Sequence, residues 1–314
     1  MREISVFSGT AHPGLAAEIC ARLGVPLRPA TVRRFANDCL EVQLQANCRE
    51  RDVYLIQPLA APVQEHLVEL LLMLDAARGA SAARVTAVIP HYAYARSDKK
   101  TMPRVSIGGR LIADLLVAAG ANRVLTMTLH APQVHGFFSI PVDHLHARRE
   151  IADHFRGQDL SGTVVVSPDL GNAKEAQALA GLLGLPVAAG AKQRLSDSEV
   201  VITSIIGDVA GRDVLVLDDE IARGTTTLEL LDRLAEHGAR DVRIACTHGL
   251  FCDGALKRLS AHQRVREIVC TNTVPVSGAE SEPKLHVISV APALAEAIRR
   301  IHEGESVSAL FASD

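Results

Sequence analysis

The segment Val214–Thr227 gathers, in one short stretch, side chains able to hold a phosphorylated sugar. It reads Val-Leu-Val-Leu-Asp-Asp-Glu-Ile-Ala-Arg-Gly-Thr-Thr-Thr: an apolar run, then acids, then a Gly/Thr loop that opens a helical pattern. Asp218 and Asp219 are acceptors for the vicinal hydroxyls of a sugar. Gly224 lets the backbone approach a phosphate, while Thr225, Thr226 and Thr227 offer N–H and hydroxyl donors at the positive end of a helix. The same residues also suit an acid pair that caps a turn, followed by a threonine N-cap. Spacing alone leaves both readings open.

Such a loop needs a strand before it and a helix after it, and the chain supplies that rhythm throughout. Strands are expected at 51–57, 83–90, 123–129, 162–167, 213–218, 242–247, 267–271 and 285–289, where short Val/Ile-rich runs occur. Helices are expected at 63–79, 106–119, 172–183, 226–238 and 292–303, several closed by glycine. A polar stretch near Arg148–Ser161 interrupts the alternation. The result is an α/β fold of mainly parallel sheets flanked by helices. Ligands of such sheets bind at the carboxyl ends of strands, which directs attention to 90–100, 129–136, 167–172 and 218–227. The stretches Gly120–His130 and Gly238–His248 echo each other, each running from Gly-Ala through a strand to a histidine.

The 314 residues exceed what one core usually supports, so two domains are expected, 1–146 and 147–314. Aromatics are 3% of the chain and Trp is absent, so Val, Leu, Ile and Ala must build the cores. The net charge of −3 and the scattered basic residues argue against a nucleic-acid or membrane surface. The six cysteines show no CxxC spacing and read as thiols in a reducing cytoplasm. No signal peptide is expected from the opening residues, and no apolar run approaches the roughly 20 residues of a membrane helix.

The acid-to-threonine segment resembles the phosphoribosyl loop of type I phosphoribosyltransferases, usually two acids, two spacers and Asp-Thr-Gly-Gly-Thr. The rest of the chain resembles one branch of that fold, the ribose-phosphate pyrophosphokinases, nearly end to end. The resemblance runs through Val88-Ile89-Pro90-His91-Tyr92, Tyr94-Ala95-Arg96-Ser97-Asp98-Lys99-Lys100 and Leu129-His130-Ala131-Pro132-Gln133. It continues in Ser167-Pro168-Asp169, Thr247-His248-Gly249 and Thr271-Asn272-Thr273. It implies two tandem phosphoribosyltransferase-like domains and a homo-oligomer, hexameric or dimeric; the cysteines and the opening residues set the expectation of a cytoplasmic protein. It also implies transfer of the diphosphoryl group of ATP to the C1 hydroxyl of ribose 5-phosphate, with Mg²⁺.

By the same resemblance Phe35, Asn37, Cys39, Arg96, Ser97 and Asp98 would hold ATP. His130 and Asp169 would hold Mg²⁺, while Asp143 is expected to be structural. Lys192 would stabilise the transferring phosphoryl group. Arg194, Asp218, Asp219, Ala222, Arg223, Gly224, Thr225 and Thr226 would hold the sugar phosphate. Leu195–Glu199 matches a lid that closes in relatives.

The chain departs from the family pattern beside several of these residues. Phe35-Ala36-Asn37-Asp38-Cys39 stands where Phe-x-Asp-Gly-Glu is usual, and Ser97 replaces Gln. Thr128 replaces an Asp, and Glu175 stands where an Arg is usual. Ala222-Arg223-Gly224-Thr225-Thr226 stands for Asp-Thr-Gly-Gly-Thr: losing Asp adds one positive unit and gaining Arg another, a change of +2. Losing a hydrogen bond to a charged group typically costs about 1.5–3 kcal/mol, or about one to two decades of affinity. Lys192, Arg194, Arg96, His130, Asp169 and the acid pair all persist, so an active diphosphokinase is expected. A changed nucleotide or phosphosugar substrate, or a catalytically silent regulatory paralogue, stand as alternatives. A simple phosphoribosyltransferase would leave the Arg96 segment and the amino-terminal domain unexplained.

Overall fold

The computed structural model describes residues 3–194 and 200–311. They form two compact units. The first takes in the described residues up to His146, with Thr273–Pro275 and the closing segment from Ser289. The second comprises those from Ala147 to Asn272 and from Val276 to Ile288.

In the first unit the elements in chain order are β1 (Ile4–Ser8), α1 (Pro13–Leu23), β2 (Leu27–Arg28), β3 (Ala30–Arg34) and β4 (Leu40–Leu44). Then come β5 (Asp52–Ile56), α2 (Val63–Gly79), β6 (Arg84–Ile89), α3 (Gly108–Ala119), β7 (Arg123–Met127) and β8 (Val142–Leu145). A six-stranded sheet has the order β2-β1-β5-β6-β7-β8, with every pair parallel. Every residue of β5 is buried, as expected for a strand with elements on both faces. Helix α2 begins and ends where its sequence pattern does. Leu67, Leu70, Met73, Leu74 and Ala77 recur at helical spacing and are buried along one face. Strands β3 and β4 make an antiparallel hairpin outside the sheet.

The second unit begins with α4 (Arg148–Phe155), β9 (Thr163–Ser167), α5 (Ala173–Leu183), β10 (Val187–Arg194) and β11 (Val200–Ile206). It continues with β12 (Asp213–Ile221), α6 (Thr225–Glu236), β13 (Val242–Gly249), α7 (Ala255–Ala261), β14 (Val265–Thr271) and β15 (Leu285–Ile288). The seven-stranded sheet has the order β11-β10-β9-β12-β13-β14-β15. It is parallel except for the β10–β11 pair. The polar stretch that interrupts the sequence rhythm contains α4. Its Ile151, Ala152 and Phe155 are buried while its other face is polar, so mean polarity hides the helix.

The chain ends with α8 (Ala291–Glu303) and α9 (Ser308–Phe311). Helix α8 belongs to the first unit, whereas the sequence reading placed all of 147–314 in the second domain. Its Leu294, Ala295, Ala297, Ile298 and Ile301 are buried. Polar anchors fix it: the Tyr54 hydroxyl donates to the Ile298 carbonyl at 3.4 Å, and Arg84 to that of Ile301 at 3.1 Å. His302 Nδ1 lies 2.9 Å from Oδ2 of the buried Asp52. No helix among the described residues is long and apolar enough to cross a membrane.

Candidate active site

Strand β12 runs past the acids to Ile221, so Asp218 and Asp219 are fixed by sheet pairing rather than held in a loop. Asp218 is the cross-strand partner of Cys246 on β13. The backbone N–H of Asp219 donates to Oδ1 of Asp218 at 2.9 Å. Burial, then the neighbouring Asp219 charge and to a smaller extent that of Asp169, push the Asp218 carboxyl well above the usual carboxylate range. Burial, then Cys270, Asp218 and Asp219, likewise raise the Cys246 thiol well above its ordinary range.

After Ile221 the chain turns through Ala222, Arg223 and Gly224 into α6. Gly224 takes the N-cap position with φ +69°, a conformation that suits glycine, and no side chain caps the helix. The first-turn N–H groups at Thr225, Thr226 and Thr227 have no intrahelical acceptor, which is the arrangement of an anion-binding helix end. Thr227 is itself buried, so its hydroxyl belongs to the packing. Arg223, the residue that adds charge to this loop, pairs through Nε with Asp253 Oδ2 at 3.1 Å. Both side chains are largely exposed.

Asp169 follows β9, the strand beside β12. Its Oδ1 accepts the Asn172 N–H at 3.0 Å, and the Asn172 side-chain amide donates to the Leu217 carbonyl at 3.2 Å. The Asx-type turn is thus present and ties the Asp169 loop to the root of the acid pair. Lys192 and Arg194 lie on β10, opposite Ile202 and Val200, and the strand register shifts between Ala191 and Lys192. Leu195–Glu199, expected as a lid, lies outside the described residues. Glu175, without an assigned role in the sequence, accepts a hydrogen bond from Arg148 at 3.0 Å and links α5 to α4.

In the first unit Phe35, Asn37 and Cys39 form the tip of the β3–β4 hairpin. The Phe35 N–H donates to the Cys39 carbonyl at 2.8 Å, and the Asn37 side chain accepts the Cys39 N–H at 3.3 Å. Phe35 is exposed, and Asp38 takes a left-handed φ of 71°. Arg34 is held by Glu65 and Asp38, which raise its pKa.

Arg96 ends a 3₁₀ turn (Ala93–Arg96) after β6, at the carboxyl end of the sheet. Ser97 Oγ accepts the Gly108 N–H at 2.8 Å, so the side chain that replaces the family glutamine fastens the start of α3. Asp98 accepts a hydrogen bond from the Gln133 amide. Lys99 and Lys100 are exposed.

His130 is exposed just beyond β7. The turn that presents it is pinned twice. Thr128 N–H donates to the Leu145 carbonyl at 2.8 Å, and Leu129 N–H to His144 Nε2 at 2.8 Å. Thr128 has φ +42°, a strained value for a β-branched residue. Asp143 makes an ion pair with Arg123.

His144 and Asp253, which touch site loops from other segments, carry no sequence signal that marks them. Among the described residues no group of three or more His, Cys, Asp or Glu side chains is placed to hold a metal. His130 and Asp169 stand in separate units.

These features define an α/β protein of two tandem phosphoribosyltransferase-like domains, with a strand–acid–Gly/Thr–helix element in the second. Comparison with known proteins narrows the class. Residues 4–120 match the family model for the N-terminal domain of ribose phosphate pyrophosphokinase. Residues 194–312 match the phosphoribosyl synthetase-associated domain. A Deinococcus radiodurans protein named ribose-phosphate pyrophosphokinase is 48% identical over 311 residues, covering 98% of this chain and 97% of that protein. A Streptomyces coelicolor protein given the same name with a provisional qualifier is 73% identical over 311 residues, covering 99% and 98%. The crystal structure of phosphoribosylpyrophosphate synthetase from Mycobacterium smegmatis superimposes with a TM-score of 0.90 at 39% identity. It spans 96% of this chain and 100% of that one. The chain belongs to the ribose-phosphate pyrophosphokinase family and is a transferase of that family.

Proposed function

We propose that the chain transfers the diphosphoryl group of ATP as a unit to the C1 hydroxyl of ribose 5-phosphate. The products are phosphoribosyl diphosphate and AMP. The observation that carries this reading is the acid pair of β12 leading into the uncapped amino terminus of α6. Asp218 and Asp219 accept hydrogen bonds from the ribose hydroxyls. The N–H groups at Thr225, Thr226 and Thr227 receive the 5-phosphate, with Arg194 as its cationic partner. Lys192 offsets charge on the transferring group. Such transfers are governed by positioning and electrostatics more than by a base.

In the first unit Phe35, Asn37, Cys39, Arg96, Ser97 and Asp98 belong to the nucleotide side. Ser97 contributes through its backbone and the anchored loop, because its hydroxyl is already engaged. His130 on the first unit and Asp169, a hard oxygen donor, on the second are the residues that would each serve as a Mg²⁺ ligand in its own unit, with water and phosphate completing the coordination. When bound, Mg²⁺ would neutralise charge on the phosphate oxygens. A cytoplasmic homo-oligomer goes with this reading.

The altered-substrate alternative rests on the +2 change at the loop together with Asn37-Asp38-Cys39. Asp253 meets the one positive unit that Arg223 adds, which weakens the first of these grounds. The test is incubation with Mg²⁺, ATP and ribose 5-phosphate, following AMP release against a Lys192→Ala control. AMP that requires the sugar and disappears in the control supports the proposal. Absence of turnover above the control overturns it for this substrate pair.

A further inference from the structure

The loop between Ile221 and α6 is seated on one neighbouring segment, Leu250–Leu259, by several separate contacts. The N–H groups of Leu250 and Phe251 both donate to the Ile221 carbonyl at 3.0 Å. Arg258 Nη2 donates to the Arg223 carbonyl at 2.8 Å, and its Nη1 to the Asp253 carbonyl. Arg223 Nε reaches Asp253 Oδ2 at 3.1 Å. A Cβ built on Gly224 would stand 3.3 Å from Leu259 Cδ1 and 3.4 Å from the Ala255 Cβ, so the loop lies directly on α7. The supporting turn is itself bent to reach it: Phe251 and Asp253 have φ of +44° and +52°.

We propose that Arg258, with the Asp253–Arg223 pair, is a positioning residue for the sugar phosphate, acting through residues 221–224 at the head of α6. This rests on the function proposed above. The physical argument lies in the type of contact. Arg258 spans two carbonyls with one planar fork, which lysine cannot do, and so fixes the spacing between the loop and its support. The groups are exposed, so their contribution to global stability is small. Their effect is on where the Gly224 backbone and the first α6 N–H groups stand. An unsupported loop would present those donors in several arrangements and bind phosphate more weakly.

The experiment compares the full-length wild type with Arg258→Ala, Arg258→Lys and Asp253→Asn. It measures ribose 5-phosphate binding by calorimetry, KM for each substrate, kcat and Tm. Arg258→Ala is expected to weaken ribose 5-phosphate at least about threefold, with KM for ATP and the Tm nearly unchanged. Arg258→Lys and Asp253→Asn should show smaller losses of the same kind. Equal losses for both substrates, or unchanged ribose 5-phosphate binding in all three variants, would overturn the proposal. Should Arg258→Ala fold poorly, the other two variants decide it. Wild-type binding of ribose 5-phosphate without turnover would sink the proposed reaction yet still let binding judge the brace. No wild-type binding would overturn the brace as well.

Discussion

The Asp219 backbone N–H donates to Asp218 Oδ1 over 2.9 Å, so adjacent acids on one strand share a hydrogen bond at the mouth of the phosphosugar loop. That single bond does not offset burial and mutual repulsion, and the Asp218 carboxyl titrates well above its ordinary value of 3.8. A carboxyl raised in the folded state contributes stability below its unfolded value and loses it as pH rises through the folded value. The unliganded protein should therefore become less stable as pH climbs above the ordinary aspartate range. Asp218→Asn should flatten this dependence in thermal melts at several pH values. The variant should melt at a higher temperature than the wild type at neutral pH and show the smaller difference at acid pH. The same variant should lose ribose 5-phosphate affinity by about one to two decades, an exchange of function for stability.

Lys192→Ala should lower kcat by about two to three decades, the scale seen when one transition-state donor is removed, with little change in ribose 5-phosphate binding. Rapid-quench AMP assays paired with calorimetry separate the two quantities. A loss confined to KM would reassign Lys192 to binding.

Glu175→Ala should leave both KM values unchanged, because the carboxylate serves Arg148 across α4 and α5. The pair is partly buried, with side-chain exposures of 15% and 33%. A cost near 1 kcal/mol is expected, or about 2–4 °C in Tm. A selective rise in KM for either substrate would instead place Glu175 in the site.

Asp52→Ala should destabilise the first unit strongly. Burial would raise the Asp52 carboxyl, yet hydrogen bonds from Arg84, His302 and Tyr54 outweigh it and hold the pKa below 3.8. A depressed carboxyl contributes stability above its unfolded value and loses it as pH falls through the folded value. Acid unfolding of the wild type should therefore include this loss, and the variant should lack it. Removing one partner of a buried pair typically costs about 3–5 kcal/mol. Denaturant melts at neutral and acid pH check both statements.

Helix α2 and the strand–acid–Gly/Thr–helix element were legible in the sequence because their determinants lie close together along the chain. Apolar spacing sets the face of α2, and the same segment supplies acids, glycine and helix-start donors at 214–227. Helix α4 was not legible, since its buried Ile151, Ala152 and Phe155 are too few against its charged residues to shift the local average. Roles that depend on distant partners were equally hidden. Nothing near Ser97 in the chain shows that its hydroxyl accepts the Gly108 N–H, 11 residues further on.

The sequence by itself determined the alternation of strands and helices, the family pattern and the identity of the residues at the strand ends. Tertiary structure decided that α8 completes the first unit, that Asp253 answers the charge of Arg223, and that Arg258 supports a carbonyl 35 residues away. The reason is physical. Backbone periodicity and helix-end donors are local properties, whereas pairing of charges and seating of a loop depend on which distant segments the packed sheet brings side by side.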